Sequence, residues 1–476
     1  MIWFFISCFS SQKNPPVANA SFVHPLQDIS IPAVKQTKSY TPPTINVAET
    51  KYGSSILLRE NTKLPLINLS IVLPGGYTDD GSSWGRADIA ASMMLKSNKR
   101  YNMIEQSTEL RAQGARVDIE VYEQHTTIDI IVHKDSFSST LSLISDMIFF
   151  PLYESDEWSS LIEYQRTEIE QSQEDTSSLL SSIQNMILYP KEHPLHRLAR
   201  GSATSIQKIT IEETKEWHKK RLNPTHIGFL AVGDINIDSL TSLIEQSFQQ
   251  WPQTTWEPPQ LSWSKGHQSG MFLLDIPEEQ QSALRVLIPS WTEPNHPDEL
   301  KRRALGIAMG GTFTSRLNNI LREEKGYTYG AYCSFYESPT GTLLKASTSV
   351  RRNATAPALS DLLSTLSSAQ EGFSTEEWQK STNTMRNNII SQYQSRQSTL
   401  SAMKYKWRNK KDRNMDQKRL LTISGFDTSP PNDEANLFDH EQGIVIVAGD
   451  VSKIKNTLTP WSFTTIDLDA LLDGKK

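Results

Sequence analysis

The side chains that most often catalyse hydrolysis do not occur here in their usual arrangements. The ten histidines include no pair at the helical spacing that binds a metal, and His193 and His196 flank a proline that disfavours one shared helix. No G-x-S-x-G turn is present, and neither Cys8 nor Cys333 has a nucleophile-like sequence around it. A hydrolase built on such residues therefore has little support from the sequence.

An internal duplication organises the motifs that remain. Four segments of the first half recur in the same order in the second half, between 211 and 220 residues later. The pairs are Ile71–Pro74 with Val286–Pro289, Leu110–Gln113 with Leu321–Glu324, Glu157–Trp158 with Glu377–Trp378, and Phe229–Asp234 with Val445–Asp450. Solenoid repeats are much shorter, so the sequence predicts two whole domains.

Length and composition agree with two domains. A chain of 476 residues is too long for one core, and 37% hydrophobic with 21% charged residues is typical of a globular protein. The net charge of −6 gives no reason to expect nucleic acid as a partner. We predict domains over 45–255 and 271–476, joined by a proline-containing linker over 256–270.

Hydropathy patterns predict an α+β fold. Alternating apolar residues predict paired strands over Arg116–Val121 and Thr127–Val132, and an amphipathic pattern predicts helix from Asp156 to Leu188. The same order of strands and helices recurs in each half. We therefore expect two homologous domains, each an antiparallel-rich sheet covered by helices.

Motifs from about residue 45 to about residue 470 resemble the pitrilysin/insulinase family of inverted zinc metallopeptidases, in its short two-domain bacterial form. They are His193-Pro194-Leu195 followed by Gly201, Asn223-Pro224 leading to Gly233-Asp234, the run Gly310–Leu317, and the run Leu321–Tyr329. The last two match the family pattern most closely. The resemblance implies a fold like that of insulinase and mitochondrial processing peptidase.

The resemblance also implies that the zinc-binding helix of the family is degenerate here. In the family, two histidines on one helix bind zinc and a glutamate between them activates water. The similar stretch Gly85–Leu95 has Asp88, Ala91 and Ser92 at those positions, and Glu170 matches the third zinc ligand by spacing. One carboxylate without imidazoles is a poor zinc site. We therefore expect no catalytic residue and no metal in this chain, and zinc only in a partner subunit.

The other half of the family's active site is retained according to the same resemblance. Family members contribute an arginine, and a tyrosine seven residues later, from the second domain to hold the substrate and its oxyanion. Arg322 and Tyr329 match those positions. A guanidinium offers fixed donors to carbonyl oxygens, and a phenol donates one hydrogen bond toward developing negative charge. The alternative is that Arg322 is a surface ion-pair residue and Tyr329 a core aromatic.

Two classes of function follow. Some bacterial members of the family pair a zinc-bearing subunit with a subunit that carries the arginine and tyrosine, so this chain is predicted to be the second kind, a heterodimer subunit that binds peptides. The alternative is a non-catalytic scaffold or binding pseudopeptidase of a cell-envelope complex. A neighbouring reading frame that encodes HxxEH without the Arg–Tyr pair would favour the first.

The N-terminal region predicts the location. Phe5-Ile6-Ser7-Cys8 resembles a bacterial lipobox, although it lacks a positive n-region and a long apolar core. The stretch that follows, up to residue 44, is rich in Pro, Ser and Thr and is typical of a flexible tether. We expect a periplasmic lipoprotein of the bacterial cell envelope, anchored through Cys8.

Two further local features carry predictions. Cys333 is expected to be a buried strand residue, because it lies in an apolar segment. The basic run Lys404–Lys411, interleaved with aromatic residues, is expected to be a solvated helix face rather than a lipid or nucleic-acid site.

Overall fold

The computed structural model describes residues 39–252, 254–261, 268–291, 296–338, 340–431 and 434–472. The described residues from Pro42 onward form one compact unit. Cys8 and most of the predicted tether lie outside the described residues, as do residues 262–267 of the predicted linker. In the part of the chain that is described, no helix has both the length and the apolar character needed to cross a bilayer.

The first half contains a mixed sheet of six strands with the order β1-β2-β6-β3-β5-β4. All neighbouring pairs are antiparallel except β2 and β6, which run parallel. The strands are β1 Asn46–Glu49, β2 Ser55–Glu60, β3 Leu66–Pro74, β4 Arg116–Val121, β5 His125–His133 and β6 Gly228–Gly233.

The second half repeats this sheet with the order β12-β7-β11-β8-β10-β9. Strand β7 runs parallel to both of its neighbours, and the remaining pairs are antiparallel. The strands are β7 Gly270–Asp275, β8 Gln281–Trp291, β9 Ala331–Ser338, β10 Gly341–Arg351, β11 Ile444–Gly449 and β12 Thr464–Ile466.

Helices cover both sheets. In the first half they are α1 Arg86–Met93, α2 Met103–Ala112, α3 Phe137–Phe149, α4 Ser155–Ser172, α5 Thr176–Leu188, α6 Ala203–Ile206, α7 Ile211–Arg221 and α8 Ile237–Ser247. In the second half they are α9 Glu299–Gly310, α10 Arg316–Asn318, α11 Thr355–Ser367, α12 Thr375–Ser391, α13 Arg396–Arg408, α14 Met415–Ser424, α15 Val451–Ile454 and α16 Leu468–Leu472.

The predicted duplication is visible in the elements. Pro74 ends β3, and Pro289 lies at the matching end of β8. The Gly-Asp pairs follow the completely buried strands β6 and β11, and each Glu-Trp pair lies in the first turn of a helix, α4 or α12. The predicted α+β fold is therefore confirmed, with parallel neighbours that the alternating pattern alone did not predict.

The predicted helix from Asp156 to Leu188 is wrong, because two helices occupy this segment. Helix α4 ends at Ser172, and α5 begins at Thr176. Between them Asp175 accepts a hydrogen bond from Ser178 N at 2.7 Å and so caps α5. Because of this break, α5 can pack against the second half of the chain.

Helices α5 and α13 are exchanged between the halves. Helix α5 packs on β8 and β11 of the second sheet, where Leu180, Ile183 and Leu188 join a core with Leu287 and Ile446. Helix α13 packs in return on β3 and β6 of the first sheet. The two sheets therefore depend on each other for burial, although their strands do not mix.

The basic run Lys404–Lys411 lies at this exchange, and the predicted solvated face is wrong. Lys404 Nζ lies 2.6 Å from Asp129 Oδ2 on β5, and Lys406 Nζ lies 2.5 Å from Asp416 Oδ2. Lys404 and Lys406 are both buried. The ring of Trp407 packs directly on Gly228, where a Cβ would lie 2.6 Å from the indole. Lys404 and Lys406 thus neutralise the carboxylates of Asp129 and Asp416, whereas Arg408 and Lys410 of the same run are exposed.

Because α5 covers the second sheet, Leu180 should protect the backbone amides of strands in the second half from hydrogen exchange. We expect Leu180→Ala to lower the free energy of unfolding by about 2–5 kcal/mol, as buried leucine truncations do. Amides of β11 should exchange faster with deuterium, because local stability follows burial. Hydrogen exchange with mass spectrometry measures this.

The matched control is Leu141→Ala, since Leu141 is equally buried but belongs to the core of the first sheet. It should speed exchange in β3 and β5 instead. Unchanged protection of β11 in the Leu180 variant would contradict the exchanged packing.

Candidate functional site

Helix α1 carries Asp88, Ala91 and Ser92, the three positions of the predicted degenerate zinc motif. Its N-cap is Gly85, whose φ of 97° lies in the left-handed region that favours glycine. Asp80 caps this end, because its two carboxylate oxygens accept from Gly85 N and Ala87 N at 2.9 Å. Burial raises the pKa of Asp80 to about 7.

The stretch around His193 supports the start of α1 rather than a metal. A Cβ on Gly201 would lie 2.3 Å from Trp84 O, and one on Gly85 would lie 2.5 Å from Arg200 O. Only glycines permit this close approach of the two chains. His193 itself is buried and stacks on Tyr189 at 4.4 Å between ring centroids.

Asp88 and Ser92 share one face of α1 and are joined by a third side chain, Gln165 of α4. Gln165 Nε2 donates to Asp88 Oδ2 at 2.9 Å and to Ser92 Oγ at 3.2 Å. Arg200 Nε lies 3.5 Å from the same oxygen of Asp88. Burial raises the pKa of Asp88, and the nearby Arg200 charge opposes that rise.

Ala91 does not belong to this group. It is buried in the core of the first half with Leu73 and Met94. The position at which family members have the water-activating glutamate therefore contributes only packing.

Glu170 does not lie at the third ligand position, so the spacing argument for it was wrong. Glu163 and Glu170 are exposed and bind the Arg166 guanidinium at 2.6 and 2.7 Å. Gln165 faces α1 instead. The sequence did contain a signal for this, because Gln165 is the one polar member of the buried helical stripe Trp158, Leu161, Gln165 and Ile169.

The side chains of this group do not fit a zinc ion. They offer one carboxylate, one hydroxyl and one amide, whereas zinc sites in proteins are built from imidazole, thiolate and carboxylate. The Arg200 guanidinium adds a positive charge beside the only anionic donor. Among the residues that the structure describes, no group of three or more His, Cys, Asp or Glu could hold a metal.

Arg322 lies in a π-helical turn, Asn319–Glu324, that follows α10. The wider turn is closed by Lys325 N donating to Ile320 O at 3.0 Å. The guanidinium lies 4.8 Å from the centroid of the exposed Phe313 ring and 3.1 Å from Glu323 Oε1. Single π-helical turns occur frequently at functional sites.

A rigid base holds this turn against the rest of the second half. Arg316 binds both carboxylate oxygens of Glu377 at 2.8 Å. Asn318 exchanges two hydrogen bonds with Ala331, at 2.7 and 2.9 Å. These contacts fix α10 against α12 and the start of β9, so the segment between them has little freedom.

Tyr329 projects from the segment that leads into β9. Its side chain is 98% exposed, while Thr348 Oγ1 lies within hydrogen-bond distance of Thr328 Oγ1, at 2.9 Å, and of Gly330 O, at 3.0 Å, and so holds the residues on either side. The expectation of a core aromatic at this position is therefore excluded. Tyr329 and Tyr332 line a cavity of about 310 Å³ with residues of β8 and β10.

Of the predicted residues, the structure brings Asp88 and Ser92 together through Gln165. Arg322 lies within the π-helical turn and Tyr329 lies five residues after its end. No hydrogen bond or ion pair of the described residues links the first group to the second. Cys333 is buried in β9, as predicted, and burial raises the pKa of its thiol.

Comparison with known proteins identifies the class. Residues 208–385, which include Arg322 and Tyr329, match the family model described as Peptidase M16 inactive domain. An uncharacterized zinc protease of Mycobacterium tuberculosis is 23% identical over 261 residues, which cover 54% of this chain and 59% of that protein. The match thus spans less than two thirds of that relative. The non-peptidase homolog YmxG of Helicobacter pylori is 21% identical over 301 residues, 62% of this chain and 67% of that one.

Solved structures share the fold. A peptidase M16 inactive domain from Pseudomonas fluorescens superposes with a TM-score of 0.77 at 16% identity, over 85% of this chain and 98% of that one. A protease from Helicobacter pylori gives a TM-score of 0.73 at 17% identity, over 86% and 100%. The predicted resemblance to the insulinase/M16 family is confirmed over residues 208–385, and the solved structures show that the fold is shared over about 85% of the chain.

The amide network predicts a structural role for Gln165. Gln165→Ala should lower the free energy of unfolding by about 1–3 kcal/mol, because it leaves buried polar groups of Asp88 and Ser92 without their donor. Denaturant titration measures this. Gln171→Ala on the exposed face of the same helix is the control and should change stability by less than about 0.5 kcal/mol. Equal losses in the two variants would contradict the network.

The side chains around Asp88 and Ser92 predict that the purified chain binds little zinc. The chain, purified in the presence of zinc and then dialysed, should contain far less than one equivalent by elemental analysis. The matched control combines Asp88→His, Ala91→Glu, Ser92→His and Gln165→Glu, which supplies the donors of the family and should gain zinc. One tightly held equivalent in the unaltered chain would contradict the prediction.

Proposed function

We propose that this chain is a catalytically incomplete insulinase-family subunit that binds peptide and supplies Arg322 and Tyr329 to a zinc-bearing partner subunit. One observation carries the proposal: Tyr329 is 98% exposed on a rigidly held segment, while the metal-binding positions are filled by an amide network. An aromatic side chain that is almost wholly exposed has little packing role in the chain itself.

The chemistry of the two side chains suits the proposed division of labour. Arg322 presents a planar set of donors that fits peptide carbonyl oxygens. Tyr329 can donate one hydrogen bond to an oxyanion that forms on the partner's side of the site. The zinc and the water that it activates belong to the partner under this proposal, and this chain needs no cofactor of its own.

The fold offers a place for an extended peptide. Strand β9 lies at the edge of the second sheet, directly after Tyr329. An edge strand has unpaired main-chain groups that can bind a further strand, which gives affinity with little sequence preference. Unfolded peptides would therefore be the substrate class, and a heterodimer the functional unit.

The location remains part of the proposal. The lipobox-like sequence around Cys8 and the tether after it would place the subunit in the bacterial cell envelope, on the periplasmic side. Such a location suits a chain whose one described cysteine is buried and free.

A non-catalytic scaffold is the second candidate. It is favoured by the Gln165 network, which stabilises α1 and α4 without any open ligand position, and by the similarity to a protein named as a non-peptidase homolog. Under this alternative Arg322 and Tyr329 contribute nothing to turnover in a complex.

Reconstitution distinguishes the two candidates. Co-purification from the native host and mass spectrometry would identify an HxxEH-bearing partner. With that pair assembled, Arg322→Ala and Tyr329→Phe should each lower peptide turnover by about tenfold or more, as the loss of oxyanion donors does.

Two control variants lie outside the proposed peptide site. Lys325→Ala removes an exposed cation that follows the π-helical turn, and Tyr164→Phe removes a phenol that is 61% exposed on α4. Both should leave turnover within about twofold of the unaltered pair. Unchanged turnover in the Arg322 and Tyr329 variants would favour the scaffold.

A further inference from the structure

The cavity beside Tyr329 contains a buried cation without a carboxylate partner. Arg285 lies on β8 and is only 6% exposed. Its Nη1 donates to Gln184 Oε1 at 2.9 Å and to Ser181 Oγ at 3.3 Å, both on α5. Its Nε has no hydrogen-bond partner, and no carboxylate of the described residues forms an ion pair with it. A buried guanidinium usually meets an anion, because burial otherwise costs free energy.

A second cation lies close by on the same face of the sheet. Ser347 of β10 is directly opposite Arg285, and Lys345 is two residues along that strand, so its side chain projects to the same side. Burial and the charge of Arg285 lower the pKa of Lys345 to about 8. Lys345 also forms no ion pair within the described residues.

The duplication shows what the first half has at the same place. Because Pro74 and Pro289 correspond, Arg285 matches Ser70, and their cross-strand neighbours Ser347 and Asp129 match as well. The caps Asp175 and Ser395 put Gln184 and Lys404 at equal positions on the exchanged helices. In the first half Lys404 and Asp129 form a closed ion pair at 2.6 Å.

The second half thus has a cation at a different one of the three positions and has no anion among them. Its three corresponding groups are a guanidinium, a hydroxyl and a neutral amide, and Lys345 adds a second positive charge. The cavity opens beside this cluster: it is about 310 Å³ in volume and is lined by Arg285, Ser347, Tyr329, Tyr332 and Ser177.

We propose that this cavity binds a carboxylate side chain of an extended peptide through Arg285, which lines it, and that the charge of Lys345 on the same face of the sheet adds to the attraction. A carboxylate would take the role that Asp129 has in the first half and would meet the free Nε–H of Arg285. The inference rests on the proposed peptide-holding function and adds a preference for acidic peptides. The site lies beside Tyr329, so a bound acidic residue would fix the position of the peptide relative to that phenol.

Peptide binding to the full chain tests the proposal. The probes are a fluorescein-labelled unstructured peptide with several glutamates and its counterpart with glutamines, followed by fluorescence anisotropy. The glutamate peptide should bind about tenfold more tightly, which is the scale of one good charge-assisted contact. Arg285→Gln combined with Lys345→Gln should remove this preference and leave the affinity for the glutamine peptide unchanged.

Two further variants keep the test decisive. Lys208→Gln with Lys455→Gln removes the same charge from exposed positions of the chain and should preserve the preference. Lys345→Gln alone leaves the Arg285–Gln184 hydrogen bond intact and should reduce the preference by about threefold, even if the double variant folds poorly.

The outcomes separate this inference from the function on which it rests. Equal binding of the two peptides, or a preference that survives without Arg285 and Lys345, would overturn the acidic site and leave the proposed subunit role standing. Failure of both peptides to bind would overturn the peptide-holding role and the acidic site together.

Discussion

The exchange of α5 and α13 is the packing constraint on which the rest of the structure depends. Each sheet buries part of one face only because a helix from the other half lies on it. The hydrophobic effect then acts between the halves as strongly as within them, since the exchanged helices contribute wholly buried leucines and isoleucines. Two sheets with separate strands therefore form one compact unit.

The exchange also determines which polar groups are buried and what they meet. Where α13 crosses the first sheet, Lys404 and Asp129 neutralise each other. Where α5 crosses the second, Gln184 meets Arg285 without neutralising it. Buried ion pairs add little net stability, but a buried charge without its partner is costly. The two crossings thus have the same geometry but different electrostatics. The buried charge is neutralised at the first crossing and not at the second, and helix packing alone does not require this difference.

Local sequence predicted much of the fold and only part of the site. Alternation identified β4 and β5, the Gly-Asp pairs identified the ends of β6 and β11, and the apolar context identified Cys333 as buried, because each of these depends on neighbours in the chain. The basic run of α13 was misjudged, since its carboxylate partners lie up to 275 residues away. The spacing of the glutamates in α4 points to Glu170, whereas the buried helical stripe that includes Gln165 identifies the residue that faces α1.

The two groups of site residues differ in how freely they can change. Gln165 donates to both Asp88 and Ser92, so its substitution removes a hydrogen-bond donor from each of them. The Tyr329 side chain is 98% exposed, and only the neighbouring residues Thr328 and Gly330 are held, by Thr348. The Arg322 guanidinium is partly exposed and contacts Glu323 and the ring of Phe313. Folding alone therefore places little demand on a phenol at position 329, which is better explained by what it contacts outside the chain than by the stability of the chain itself.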